Sequence, residues 1–310
     1  MRDLLPLPID ASSHGHYIDQ MIVLLHWLML ILFVVWGAYF LYTLFRFRSS
    51  KNPKADYAGV RTHASSYLEV AVALFEGVIL IGFAVPIWSD VVIAYPSEQD
   101  ATVIHVVAEQ FAWNIHYPGA DGQFGRRDIN LVSSDNPLGL DRDDPAAKDD
   151  ITTINQLTLP VDHTILIYLT SKDVIHSFSL PLLRVKQDVI PGQQVPVWFH
   201  PTMTTEQVRA QMVKTYHIGE KVPKELEFRI AVGDYGNGAV VDGDLLTMDV
   251  LEELRAQGVT EIKATLDTPT EIACAQLCGL GHYRMRGTVT ILPEDEYQAW
   301  LDDEASYLSF

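Results

Sequence analysis

The segment from Met21 to Phe45, MIVLLHWLMLILFVVWGAYFLYTLF, runs for about 25 residues with a single histidine and no formal charge. As a helix rising 1.5 Å per residue it would reach roughly 37 Å, more than the hydrocarbon thickness of about 30 Å. A secretory leader would instead have a basic flank, a shorter apolar centre and a small-residue cleavage site. Here the preceding residues hold one arginine against three aspartates, and the run ends in aromatics and Arg46, which favours a span. A second apolar stretch from Tyr67 to Ile93 has Trp88 and Tyr95 about its far end, where interfacial aromatics lie. Between the two, RFRSSKNPKADYAGVR has five bases against one acid, which marks the cytoplasmic side. The expected layout is an outer N-terminal segment (1–20), a first span (21–45), a cytoplasmic loop (46–66), a second span (67–93) and an outer domain (94–310). Both termini are then outside.

Charge divides at the same boundary. Residues 1–89 hold six acids and six bases, so the whole formal charge of −18 lies beyond them. That excludes a nucleic-acid footprint, which needs clustered positive charge, and any charged partner of the outer domain should be basic. Two cysteines exclude a disulfide-rich scaffold and a four-cysteine zinc or iron–sulfur site.

The outer domain reads mainly as strands. TVIHVVAEQFAWNIHY, INQLTLPV, HTILIYLTS, QVPVWFH, LEFRIAV and GTVTILP are short, rich in β-branched and aromatic residues, and bounded by Pro, Gly or Asp. Several such strands argue for a sandwich or barrel. Thr205–Thr215 and Met248–Gln257 read as helices, the second with Leu251 and Leu254 on one face and Gly258 as its stop. Asp135 to Asp150, DNPLGLDRDDPAAKDD, lacks the spacing of a calcium loop and reads as a solvated turn region.

The chemistry is concentrated in Cys274 to Met285, CAQLCGLGHYRM, where both cysteines, a histidine and a methionine share a Gly-rich loop. Cys-x3-Cys is not thioredoxin spacing, and there is no Cys-x-x-Cys-His for covalent haem. Soft sulfur donors with imidazole select copper, and a weak thioether ligand marks electron-transfer copper sites. One histidine is too few for two thiolates bridging two copper ions, so a second is expected from elsewhere. His176, after the strand HTILIYLTS and at the head of a loop containing Pro181, is the best candidate. The competing reading is a Cys274–Cys278 disulfide in an oxidising compartment.

At this point the sequence resembles subunit II of haem-copper cytochrome c oxidases. The likeness runs in order through the two spans, EQFAWNIHYP, DVIHSF, RVKQDVIPG and CAQLCGLGHYRM, the last being the family's binuclear copper signature. The resemblance implies a two-helix transmembrane hairpin followed by an all-β cupredoxin-like barrel or sandwich with a helical insertion at about 203–268, where the family closes a short hairpin. It implies that His176, Cys274, Cys278, His282 and Met285 supply side-chain ligands to a copper A pair and Gln276 its backbone carbonyl. Function follows from the same likeness: electrons are accepted from a cytochrome c-type donor and passed to haem in subunit I, for oxygen reduction coupled to proton translocation. Subunit III is a further expected partner, and the expected location is the bacterial inner membrane.

Gln110 and Asp173 match family positions near the donor-docking surface. The family usually has Trp after that Gln, where electrons are admitted; this chain has Phe111, with Trp113 two residues on. The donor is therefore open between an exchanged cytochrome c and a membrane- or supercomplex-bound cytochrome. The family also often has Glu where Gln276 stands, and that carboxylate binds magnesium at the subunit I interface. Gln offers only a neutral oxygen, which leaves magnesium open.

Glu69 and Glu76 lie two helical turns apart on one face of the second span. Acids inside a span are costly and usually face protein or water. Glu69 matches the family's glutamate at the mouth of a proton channel, and Glu76 would extend that path. Lys186 and Asp188, in RVKQD, match residues near the subunit I boundary. His14, His16, His63, His105 and His116 show no metal-ligand spacing and read as structural or surface residues. The alternative of another class, a membrane-tethered cupredoxin for copper delivery or oxidase assembly, does not explain Glu69 or RVKQD.

Overall fold

The computed structural model describes residues 5–54, 57–59 and 62–309; residues 1–4 of the N-terminal segment and Ala55, Asp56, Val60 and Arg61 of the expected cytoplasmic loop lie outside them. The chain divides into a helical unit, residues up to 8 with 14–95, and a β-rich unit, residues 9–13 with 96–310.

In the helical unit, α1 (Gly15–Arg46) is 32 residues long, about 48 Å at the helical rise. It starts six residues before the apolar run because nothing in HYIDQ breaks a helix, and Arg46 in its last turn complements the helix dipole. Phe33, Met29 and Phe45 point outward along with most other large side chains. A helix apolar on every side needs apolar surroundings, not water. The second stretch is α2 (Ala64–Ile79), one wide π turn (Leu80–Ala84) and α3 (Val85–Val92). The wide turn, in which the Val85 amide reaches back to Leu80 O, directly precedes Pro86, which has no N–H and crowds the turn before it. Glu69 and Glu76 are both exposed on α2.

The β-rich unit packs two five-stranded sheets face to face. The strands are β1 (Thr102–Glu109), β2 (Ala112–Tyr117), β3 (Ile151–Ile154), β4 (Gln156–Pro160), β5 (Ile165–Ser171), β6 (His176–Leu180), β7 (Val185–Val189) and β8 (Val195–Phe199), then, after the insertion, β12 (Glu271–Cys274) and β13 (Arg286–Leu292). One sheet has the order β3-β2-β1-β5-β8 and the other β4-β13-β12-β6-β7. Their facing sides bury Ile104, Val106, Trp113, Ile115, Tyr117, Leu157, Leu159, Ile167, Phe178 and Phe199. Full burial of each large apolar side chain stabilises the domain by about 1.5–3 kcal/mol. Ile9–Ser13 belongs to this unit: the Ala11 amide donates to Leu182 O and the Ser13 amide to His200 O.

The chain crosses between sheets at Asn155, which adopts φ +59 and anchors the corner with three bonds. Its amide donates to Trp113 O, its side-chain oxygen accepts from the Trp113 amide, and its carbonyl accepts from Thr288. Asparagine tolerates that backbone better than other non-glycine residues.

Several expected elements differ. TVIHVVAEQFAWNIHY is a hairpin, β1 and β2, because Gln110 and Phe111 turn the chain and restart the alternation. INQLTLPV is split at Asn155 between two sheets. LEFRIAV contributes only β10 (Arg229–Ala231), which lies in a separate sheet with β9 (Lys214–His217) and β11 (Glu261–Leu266), in the order β10-β11-β9. The helix expected over Thr205–Thr215 ends as α4 (Thr205–Gln211), since Lys214–His217 pair with β11. Val208 of α4 is buried in the sandwich core, whereas α5 (Met248–Ala256) buries Leu251 and Leu254 in a second core with Leu226, Leu246, Ile262 and Ala264. The compact addition is thus the segment after α4. The last helix, α6 (Glu294–Ser306), carries three acids in its first turn and packs Trp300 against Tyr117, with ring centroids 5.1 Å apart.

The Asp-rich loop is not uniformly solvated. Asp150 is fully buried and bonds His116 Nε2 at 2.6 Å and the Gly125 amide at 2.8 Å. His105 stacks on Phe124 at 3.8 Å and meets His116 edge-on. The segment between β2 and β3 is thereby pinned to the face of β1 and β2 away from the sandwich core.

Candidate metal centre

His176 opens β6 rather than a loop, and its register explains how it meets the cysteines. Strand β6 lies antiparallel to β12, with Cys274 opposite Phe178, so residues 98 positions apart become neighbours. The Ala275 amide donates to Ser177 O, and the Cys274 amide to Met285 O, which closes the loop at its base. The Cys274 sulfur lies 3.7 Å from that of Cys278 and 3.9 Å from Nδ1 of His176. Cys278 Sγ is 3.6 Å from Nδ1 of His282 and 3.8 Å from Sδ of Met285. Gln276 presents its carbonyl oxygen 3.2 Å from Cys274 Sγ.

Both cysteines are free, and their separation is far beyond the ~2.05 Å of a disulfide. Burial, followed by the hydrogen bond and charge of Cys274, pushes the Cys278 thiol up to about 11. The buried Cys278 thiol beside Cys274 resists ionisation, and a soft cation bound there would remove that penalty, because metal binding takes thiolates and releases protons. The donor set of two thiols, two imidazoles and one thioether, with Cys278 and Met285 buried, fits copper. Among the described residues, His176, Cys274 and Cys278 have ligand atoms within 4.8 Å of one another.

The other expected site residues of the β-rich unit lie at different places around the loop. Gln110 and Phe111 touch the loop itself: Gln110 Nε2 donates to Cys278 O at 2.6 Å, and the Phe111 ring covers Gly281. Asp173 accepts from His176 Nε2 at 2.9 Å and from the Gln110 amide at 2.7 Å. Burial alone would raise the Asp173 carboxyl, but the bonds from His176 and from the Gln110 and Val174 amides outweigh it and hold it below the usual range. Trp113 is fully buried behind His176, ring centroids 6.2 Å apart, and its indole nitrogen has no hydrogen-bond partner among the described residues. Lys186 and Asp188 stand exposed on β7, the edge strand beside β6. Sequence reasoning missed the buried pair His116–Asp150; the only available signal was a histidine in the middle of a strand pattern.

A β-sandwich with a soft-donor loop at one end of its second sheet, following two apolar helices, defines a cupredoxin-like protein of the membrane-anchored class. The family model for the periplasmic domain of cytochrome c oxidase subunit II matches residues 102–208, from β1 through α4, and stops before the loop that carries the cysteines. The alternative cytochrome c oxidase subunit 2 of Bradyrhizobium diazoefficiens is 27% identical over 298 residues, 96% of this chain and 83% of that protein. Cytochrome c oxidase subunit 2 of Cereibacter sphaeroides is 23% identical over 277 residues, covering 84% and 67%. The crystal structure of the periplasmic domain of subunit II of cytochrome oxidase from Bradyrhizobium japonicum covers 69% of this chain and 98% of its own, at 18% identity and a TM-score of 0.35. The chain is thus similar over residues 102–208 to the periplasmic domain of cytochrome c oxidase subunit II, and over nearly its whole length to curated oxidase subunits 2, a family that normally binds copper.

Proposed function

We propose that this chain accepts electrons for a terminal oxidase at a binuclear copper A centre and hands them to haem in subunit I. His176, Cys274, Cys278, His282 and Met285 hold the metals through side chains, and Gln276 through its carbonyl oxygen. When bound there, a copper pair would supply a one-electron store. The chain's own part is to keep that environment fixed. The base of the loop is bonded to β6 and β13, Cys278 and Met285 are excluded from water, and Phe111 covers the loop from the β1–β2 turn.

The observation that carries this reading is the pair of sulfurs 3.7 Å apart, each facing the Nδ1 of a different histidine. Phe111, Gln110, Asp173 and Trp113 are the candidates for admitting electrons from a cytochrome c-type donor, with a basic donor favoured by the −18 charge. Lys186 and Asp188 face subunit I, and Glu69 and Glu76 line a proton path into it. Placing both termini on the periplasmic side is supported by the five bases against one acid between the two apolar stretches.

Copper titration of the purified full chain tests the proposal. Two coppers per chain and a purple mixed-valence chromophore with one unpaired electron shared by both nuclei are expected. A single copper, or a Cys274–Cys278 disulfide that excludes the metal, overturns it.

A further inference from the structure

The geometry points to Asp173 and Gln110 as positioning residues that tie the imidazole of His176 to the backbone of the Cys274–Met285 loop. The inference rests on the copper-binding reading above and adds to it the residues that hold the donor set in register.

Three turns that are distant in sequence meet here. Asp173 lies between β5 and β6, Gln110 between β1 and β2, and Cys278 in the loop after β12. Both carboxylate oxygens of Asp173 are engaged. Oδ1 accepts from His176 Nε2 at 2.9 Å and from the Val174 amide at 2.6 Å, and Oδ2 accepts from the Gln110 amide at 2.7 Å. Gln110 then uses its side-chain Nε2 to donate to Cys278 O at 2.6 Å, across 168 residues of sequence. One continuous path, His176 to Asp173 to Gln110 to Cys278, joins the histidine on β6 to the thiol loop.

The path has a chemical consequence at each end. An ionised carboxylate has no proton to give, so the bond to His176 requires the proton on Nε2 and leaves the Nδ1 lone pair free on the side of Cys274. A carboxylate behind a ligating histidine fixes its tautomer and ring orientation and raises its basicity. At the other end, the Gln110 amide group holds the carbonyl of Cys278 and so limits how far that thiol can move from Cys274. A residue serving only as a contact point for a soluble donor would keep its polar atoms free for that donor. Both carboxylate oxygens of Asp173 and the Nε2 of Gln110 are committed inward.

The full chain, purified in detergent, is compared with Asp173→Ala, Asp173→Asn and Gln110→Ala. Copper affinity by chelator competition should fall about 10–100-fold for Asp173→Ala. Its midpoint potential should become more positive, because the lost carboxylate favoured the more highly charged oxidised form. Gln110→Ala should weaken copper less and speed amide exchange around Cys278. Asp173→Asn, which keeps the size but must turn an NH2 toward one of two donors, should fall between parent and Asp173→Ala, and it carries the test if the alanine variant does not fold. Nitrogen NMR of the copper-free chain with labelled histidine reads the Nε2 proton of His176 without any metal. That proton should be protected from exchange in the parent and lose protection in Asp173→Ala. Parental copper affinity, potential and His176 signals, with only the salt dependence of electron uptake altered, would overturn the inference. If the parent itself bound no copper, the copper reading would fall, and the metal-free signal would still decide between Asp173 and no link to His176.

Discussion

The ring of Phe111 lies against Gly281 so closely that a Cβ on the glycine would overlap it. The contact joins the β1–β2 turn to the segment between Cys278 and His282, so the shape of the metal loop depends on a residue that is not part of it. Gly281→Ala should therefore cost about 1–3 kcal/mol and weaken copper retention. Phe111→Ala should restore most of the loss in the double variant, which a double-mutant cycle on thermal unfolding and copper stoichiometry would read. Equal losses in single and double variants would assign the effect to another contact.

Acid should weaken the β-rich unit through His105. Removal of its ring from water, reinforced by Arg127 and His116, lowers its pKa from 6.5 to about 3. The unfolded chain therefore binds the proton first as pH falls. The stability contributed by neutral His105 is complete above about pH 6.5 and is lost as pH falls from there toward about 3, by up to about 4 kcal/mol. Denaturant unfolding of His105→Gln between about pH 7 and about pH 4 should show a flatter loss than the parent.

The neighbouring pair has a different signature. Asp150→Ala leaves the buried His116 Nε2 without its partner and should cost about 1–3 kcal/mol. Limited proteolysis should then cut between β2 and β3, where the parent resists, because the same carboxylate also holds the Gly125 amide.

Leu254 is fully buried in the insertion's own core, away from the sandwich core. Leu254→Ala should lose about 2–5 kcal/mol of stability, confined to residues 214–266. Hydrogen exchange should rise there, while copper binding at Cys274 and Cys278 stays at the parental level. A matching loss of copper would show that the two cores unfold as one.

Glu76 lies exposed on α2, two turns from Glu69. In the assembled oxidase reconstituted into vesicles, Glu76→Gln should slow turnover and proton uptake together. Unchanged rates for both would remove Glu76 from the proposed path.

The sequence by itself determined the elements whose cause is local. The uncharged run Met21–Phe45 could satisfy its backbone in an apolar setting only as a helix, and alternating β-branched residues made β5, β8 and β13 readable. Gly258, read from the sequence as the stop of α5, follows that helix at φ +83. CAQLCGLGHYRM carried its donors in a single loop, so the soft-metal chemistry was legible without a fold. Only the tertiary structure decided what depends on pairing between distant segments. The hairpin turn at Gln110–Phe111, the sheet change at Asn155, the seating of Asp150 beneath the outer face and the division of the insertion from α4 all follow from which strand lies beside which. Above all, it decided that Asp173 turns inward to His176. A carboxylate three residues before a histidine has the same sequence whether it meets solvent or imidazole, and the register of β6 against β12, with Gln110 arriving from β1, selects the imidazole.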